Sequence, residues 1–358
     1  MRVCPTGSQS APRSSAILAG ALAAFATLPA KAQNPAEFYA GKTITMIVST
    51  GGGGAVDLNA RLVAKHIAKY MPGSPTIVVR NMPGGGHTLA TNFLYNQAPR
   101  DGTTIGTVIN SMPLHQATGG QGVRFESTKF NWIGSTGVSN LTIMVWHTAG
   151  VVSVEEVKQR EVVLGATGVG SGSYIYANAL NILLGTRFRI VTGYKGIVDI
   201  DLAIERGEVQ GRSGASLSGV IKEHPDWMKE KKFLPIVQIG YARDPGFPNV
   251  PLIHELETTS EKRQILRILS SPVQVGRPYM APPETPADRV AVLRRAFADA
   301  MQDKAFLAEA EQLSLEINPI TGQELAKIVE ETLSAPPHLL EAIKPIMGPV
   351  EATQKQAK

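Results

Sequence analysis

Four consecutive glycines, Gly51, Gly52, Gly53 and Gly54, follow an apolar, β-branched run that ends at Val48. An amphipathic stretch starts straight after them, with Leu58, Leu62, Val63 and Ile67 on one side. A strand that turns through glycine into a helix leaves backbone N–H groups unpaired at the positive end of the helix dipole. Such a place holds an anion without any charged side chain. A purely structural reading is disfavoured, because a glycine run costs backbone entropy and returns no packing. Ser49 and Thr50 add hydroxyl donors beside it. The same order recurs further along: Val162–Ala166, then Thr167, Gly168, Val169, Gly170, Ser171, Gly172 and Ser173, then a helix pattern from Tyr174. Two anion-ready turns in one chain predict a ligand clasped between two lobes.

Other residues near these turns carry two readings each. Asp57 precedes Arg61 by one helical turn, so it either pairs with Arg61 or anchors a ligand hydroxyl or water. Ser171 and Ser173 serve as helix caps, as ligand donors, or as both, since both roles aim donors at one point. Tyr194, Lys195 and Gly196 follow a strand and precede a helix, and the backbone at Gly196 is the better candidate than a solvated lysine. Arg212, at another strand end, either offers a bidentate fork to a second carboxylate or sits in an ion pair. Asn110 closes a third strand. Pro83, Gly84, Gly85, Gly86 and His87 read as a tight turn. The histidines are scattered without metal spacing, and neither metal nor cofactor is expected.

The elements that must hold these groups alternate strand and helix. Strands are predicted at 44–48, 76–80 and 104–108, with helices at 57–70 and 87–97, which gives a parallel sheet with right-handed crossovers. Ligands of such sheets lie beyond the carboxyl ends of the strands. The apolar stretch Phe130–Val145 reads as a strand crossing to a second lobe. There strands at 162–166, 188–192, 208–213 and 235–240 alternate with helices at 153–158, 173–184 and 198–206. A helix at 260–269 precedes a return crossing over 273–280. Thr285 is the expected cap of a long helix opened by Pro286, and two more helices follow near 303–312 and 321–333. The expected domains are thus a first lobe of 33–137 and 275–358, a second lobe of 138–274, and a two-strand hinge between them.

Composition sets the compartment. Residues 1–32 hold Arg2 and Arg13, an apolar run Ala16–Ala30, and Ala30-Lys31-Ala32, the pattern of a secretory signal peptide. They carry three cations and no acid, so the chain's net charge of +5 falls to +2 without them. No basic stripe with interleaved aromatics is present, which argues against nucleic acid. The one cysteine, Cys4, lies in the leader, so the mature protein relies on its core alone; a hydrophobic content of 43% suits that.

Several short pieces then stand in a telling order: Phe38-Tyr39-Ala40-Gly41-Lys42, the glycine turn with Asp57, Ala60-Arg61, Asn81-Met82-Pro83-Gly84-Gly85-Gly86, Ala98-Pro99-Arg100-Asp101-Gly102-Thr103, Gly170-Ser171-Gly172-Ser173, Tyr194-Lys195-Gly196, and Ala281-Pro282-Pro283 before Pro286. Together they resemble the extracytoplasmic solute receptors of tripartite tricarboxylate transporters, the Bug family. The resemblance covers nearly the whole mature chain. It implies an α/β, type II periplasmic binding protein with two lobes. It also implies an organic carboxylate held by both glycine turns, often through water, and delivery to a membrane permease from the periplasm; the expected state is a monomer. The chain departs from that pattern at Thr50, where relatives usually have proline, at Tyr176, where histidine is frequent, and at Gly211-Arg212-Ser213-Gly214, where many carry an acidic or apolar residue.

The alternatives are weaker. A sensor that presents its liganded form to a signalling partner shares every feature. An enzyme is not expected. Gly41-Lys42-Thr43 lacks the first glycine of a phosphate loop, Ala36 standing in its place. Strand two ends in Arg80, where a dinucleotide fold wants an acid, and Val169 and Ser173 flank Gly170-Ser171-Gly172 where a hydrolase elbow needs other residues.

Overall fold

The computed structural model describes residues 35–169, 171–194, 196–257, 259–313 and 315–348. The predicted leader, Gly170 and Lys195 lie outside the described residues. The strands are Thr43–Val48 (β1), Thr76–Asn81 (β2), Thr104–Thr107 (β3), Asn131–Ser135 (β4), Leu141–Trp146 (β5), Val162–Ala166 (β6), Phe188–Thr192 (β7), Gly211–Ser216 (β8), Phe233–Ile239 (β9), Pro278–Ala281 (β10) and Ile320–Thr321 (β11).

They form two sheets, ordered β11-β4-β10-β3-β1-β2 and β7-β6-β8-β5-β9. The helix Ala55–Ile67 links β1 to β2, and Thr88–Asn96 links β2 to β3; β2 and β3 both pair parallel to β1. In the second sheet β7 and β8 pair parallel to β6. Both predicted parallel units are therefore present, each at one edge of a mixed sheet. The remaining strands run antiparallel: β10 against β3 and β4, β11 against β4, and β5 against β8 and β9.

The stretch 130–146 divides where a single crossing strand was expected. Its first half is β4 in the first sheet and its second half is β5 in the second, with 136–140 between them. Both halves are apolar because both are central strands, buried on each face. The return crossing also differs. Residues Ser271–Val275 are helical, and β10 begins only at Pro278, a position a proline tolerates because it is the first of the strand. Thr285 does not cap the following helix; its hydroxyl donates to the Pro282 carbonyl at 2.8 Å, and Pro286 occupies the cap position.

The two crossings touch. Arg277 N–H donates to Ser135 Oγ at 2.8 Å, and Thr136 N–H to the Arg277 carbonyl at 3.2 Å. Gly276 has φ +64°, and a β-carbon there would lie 2.1 Å from the Gly137 carbonyl oxygen, so only glycine lets the crossings pass this closely. A third passage was not foreseen. The helix Pro337–Met347, expected in the first lobe, buries Leu339, Ile343 and Ile346 with Leu180 and Leu266 in the core of the second sheet. Its apolar face, repeated at helical spacing, has no other cover.

That packing is testable. Ile343→Ala removes a fully buried side chain and is expected to cost about 2–5 kcal/mol in urea unfolding. A loss below about 0.5 kcal/mol, the range of ordinary surface changes, would mean that this helix is not part of the core.

Candidate functional site

The first glycine turn lies at the carboxyl end of β1, and Gly51–Gly54 are all exposed. Its geometry is set by Asp57, which is 1% exposed. Gly53 N–H donates to Asp57 Oδ2 at 2.8 Å, Arg61 Nε to the same oxygen at 2.9 Å, and Asn81 Nδ2 to Oδ1 at 2.8 Å. Burial raises the acid's pKa, but the hydrogen bonds from Arg61, Gly53 and Asn81 outweigh it and hold the carboxyl at about 2. Of the two roles open to Asp57, the structure realises the pairing role. The carboxylate bends the turn back on its own helix and takes up the Gly53 donor.

Neighbouring groups clamp the strand end. Asn81 Nδ2 donates to the Thr50 carbonyl at 2.9 Å, and His87 Nδ1 lies 3.0 Å from the Ser49 carbonyl, which accepts from it. Ser49 N–H donates to the Thr107 carbonyl of β3 at 3.1 Å. The hydroxyls of Ser49 and Thr50 are buried and lack a hydrogen-bond partner among the described residues. Asn81 and His87 were legible only as parts of a motif; their clamping role depends on β2 lying beside β1.

The second turn lies at the carboxyl end of β6. Ser171 Oγ donates to the Gly168 carbonyl at 2.7 Å and lies 2.7 Å from Ser173 Oγ. Ser173, 6% exposed, accepts from Thr167 N–H at 3.0 Å. Ser173 thus braces the loop from within, and Ser171 stands at the cap position of the helix Gly172–Leu184 without a side-chain cap bond. The first-turn N–H groups of that helix, at Gly172 and Ser173, are the donors left at its end. Gly214, at φ +71°, packs against them; a β-carbon there would stand 2.6 Å from the Gly172 carbonyl and 3.0 Å from Ser173 N. The carboxyl end of β8 and the second turn are therefore in contact. Tyr176 is a core residue, its hydroxyl pushed up by burial.

Tyr194 N–H closes onto the Ala166 carbonyl at 3.4 Å, and Gly196 is the extended residue before the helix Ile197–Glu205. Arg212 is not at the turns. It is 2% exposed, and its Nε lies 2.7 Å from Asp201 Oδ1 on that helix. Its ion-pair reading is the one realised, so its fork is committed. Burial raises the Asp201 pKa, with Arg212 and His224 pulling the other way, and burial lowers that of Arg212. The pair sits in a cavity of about 450 Å³ between the helices Ile197–Glu205 and Leu217–Glu223. There Asp201, Glu223 and His224 bring ligand-type atoms within 4.8 Å of one another, a set that sequence spacing hides because Asp201 is on a different helix. The adjacent guanidinium already neutralises Asp201 and opposes a metal cation.

Asn110 stands at the seam between the sheets. It lines a crevice of about 120 Å³ with Ser139, Ser216 and Arg277. The helix after the first turn is tied to this seam by Asn59, whose Oδ1 accepts from Thr136 Oγ1 at 2.9 Å and from the Tyr279 hydroxyl at 2.7 Å.

The family described as tripartite tricarboxylate transporter family receptor, TctC, matches residues 59–344. A Cupriavidus necator protein named UPF0065 protein in gbd 5'region is 23% identical over 335 residues, 89% of this chain and 92% of that protein. A TctC solute binding protein from Polaromonas, solved without ligand, superimposes with a TM-score of 0.66 at 18% identity, over 84% of this chain and 97% of that one. MatC from Rhodopseudomonas palustris, solved with bound malate, does so at 0.59 and 22% identity, over 84% and 98%. The shared fold is the two-lobed α/β architecture of type II periplasmic binding proteins.

The role of Asp57 has a pH signature. Its folded pKa lies below the ordinary 3.8, so its contribution is present above that value and is lost as pH falls toward about 2. Asp57→Asn is expected to lower stability at neutral pH by about 1–2 kcal/mol, discounted for the half-exposed Arg61. Unfolding curves of wild type and variant should converge between pH 4 and pH 2, roughly the span between the two pKa values. A difference that stays constant over that range would remove Asp57 from this role.

Proposed function

The chain belongs to the tripartite tricarboxylate transporter receptor family, and from that premise we propose that it captures a small organic carboxylate between its lobes and delivers it to a membrane permease. The observation that carries this reading is the pair of glycine turns, each at the carboxyl end of a parallel strand and each opening a helix, one in each sheet. Backbone donors at a helix start favour negative charge. A carboxylate bridging the donors at 51–54 and those at 172–173 gains its full set of hydrogen bonds only when the lobes approach, so binding shifts the hinge toward closure. Ser49, Thr50, Gly51, Gly52, Gly53, Gly54, Ser171, Gly172, Ser173, Tyr194 and Gly196 form the proposed contact surface, with Asn110 at its floor. Gly53 contributes through shape, since its N–H is held by Asp57.

The malate in the Rhodopseudomonas palustris relative supports a carboxylate as the guest. The leader pattern supports a periplasmic setting, and among the described residues no helix is long and apolar enough to cross a membrane. The reading is of a receptor and not of an enzyme, since binding by backbone amides needs no nucleophile or base.

Two substitutions separate binding from folding. A β-carbon at Gly51 or Gly168 meets nothing within 4 Å, and neither glycine has positive φ, so leucine fits both without strain. A thermal-shift screen with organic acids is expected to find one that stabilises the wild type by about 2.7 kcal/mol at a hundredfold excess over its Kd. Gly51→Leu and Gly168→Leu should melt as the wild type does and lose that shift. A shift that survives both substitutions would place the carboxylate elsewhere.

A further inference from the structure

Arg277 stands where the two crossings meet, in the wall of the seam crevice. The other walls come from both sheets: Asn110 from beyond β3, and Ser216 from the end of β8. The crevice joins the two glycine turns at their inner ends. Thr107 of β3, three residues before Asn110, holds Ser49 N–H, and Gly214, two residues before Ser216, packs on the Gly172–Ser173 backbone.

The guanidinium is unusual for its lack of a counter-charge. Arg61 pairs with Asp57, Arg212 with Asp201, and Arg243 with Glu255. Among the described residues no carboxylate lies within ion-pair distance of Arg277; its one side-chain hydrogen bond runs from Nη1 to the Glu316 carbonyl at 3.3 Å. The Glu316 carboxylate turns instead to the Ser218 hydroxyl, which is linked to Ser139 and Ser216 at 3.1 and 3.2 Å. The Asn110 amide likewise has no protein partner among the described residues. The backbone of Arg277 is fixed on both sides by Ser135 and Thr136, so the side chain is presented from a rigid base. A volume of about 120 Å³ holds a carboxylate and a methylene or two, given about 30 Å³ for each water in the liquid.

We propose that Arg277, assisted by Asn110, reads the distal carboxylate of the guest, so that this protein prefers a dicarboxylate to the monocarboxylate of the same skeleton. The inference rests on the receptor reading above. The first carboxylate takes the glycine turns, and the second enters the crevice and supplies the charge that Arg277 lacks. An Arg fork to a carboxylate is a charge-assisted contact, stronger than a neutral hydrogen bond and specific in direction.

The test is calorimetric titration with matched pairs: succinate and butyrate, adipate and hexanoate, terephthalate and benzoate. For the pair that fits the cleft, the wild type is expected to bind the diacid at least about tenfold more tightly, the discrimination a lost charged contact gives. Arg277→Met should remove most of that preference by weakening the diacid alone, and Arg277→Lys should restore part of it. Equal weakening of both acids by Arg277→Met would mark a hinge role only and overturn the proposal. So would a wild type that binds both acids of a pair equally, and in that case the receptor reading stands. If the wild type binds no acid of any pair, the receptor reading itself fails, and this inference with it.

Discussion

A backbone that offers free N–H groups to a guest must be kept from satisfying them itself. That constraint organises this molecule. At the first turn the buried Asp57 takes the Gly53 donor, and Arg61 balances the charge so that the helix start does not become negative. At the second turn Ser173 accepts from Thr167 inside the loop, and Ser171 folds back onto Gly168. Each turn gives up a donor to fix its own shape and leaves the remaining first-turn donors pointing outward. Glycine is needed where the main chain itself has to approach a partner, as at Gly214 against the second turn and Gly276 against Gly137.

The same economy connects the turns to the hinge. Asn59, one residue into the second turn of the helix that follows the glycines, holds Thr136 on one crossing and Tyr279 on the other through a single oxygen. A displacement of the first turn is therefore felt where the lobes join. The return crossing supplies β10, which lies between β3 and β4 in the middle of the first sheet. A chain that leaves one lobe, builds the other and returns to complete the first cannot fold its first sheet before the second has been made. The helix Pro337–Met347 then crosses once more and packs on the second sheet, so the two cores are tied by their sequence order as well as by the seam.

The local units were legible because local rules fix them. Predicted strands at 162–166 and 188–192 match β6 and β7, and the glycine-to-helix turns stand where the residue types put them. What was hidden depends on partners distant in sequence. The stretch 130–146 gave no sign of its break, since a strand buried on both faces reads as a continuous apolar run. β10 is four residues long and opens on proline, which ordinarily argues against a strand. Arg212 and Arg277 look alike in sequence. One is neutralised by Asp201 across a helix and the other by nothing among the described residues, and only the packing distinguishes them. A signal did exist for Arg212: Asp201 falls on the same helix face as Ile197, Ile200 and Ile204, and an acid on a buried face calls for a buried cation.

Backbone donors from both lobes meeting on one guest is the claim on which the rest depends. Amide hydrogen exchange, followed by mass spectrometry with and without the tightest-binding acid, reads those donors directly. The account predicts slower exchange in two separate peptides, one spanning residues 50–57 and one spanning 168–175, with the same dependence on acid concentration. Protection confined to one of them, or to neither, would contradict it.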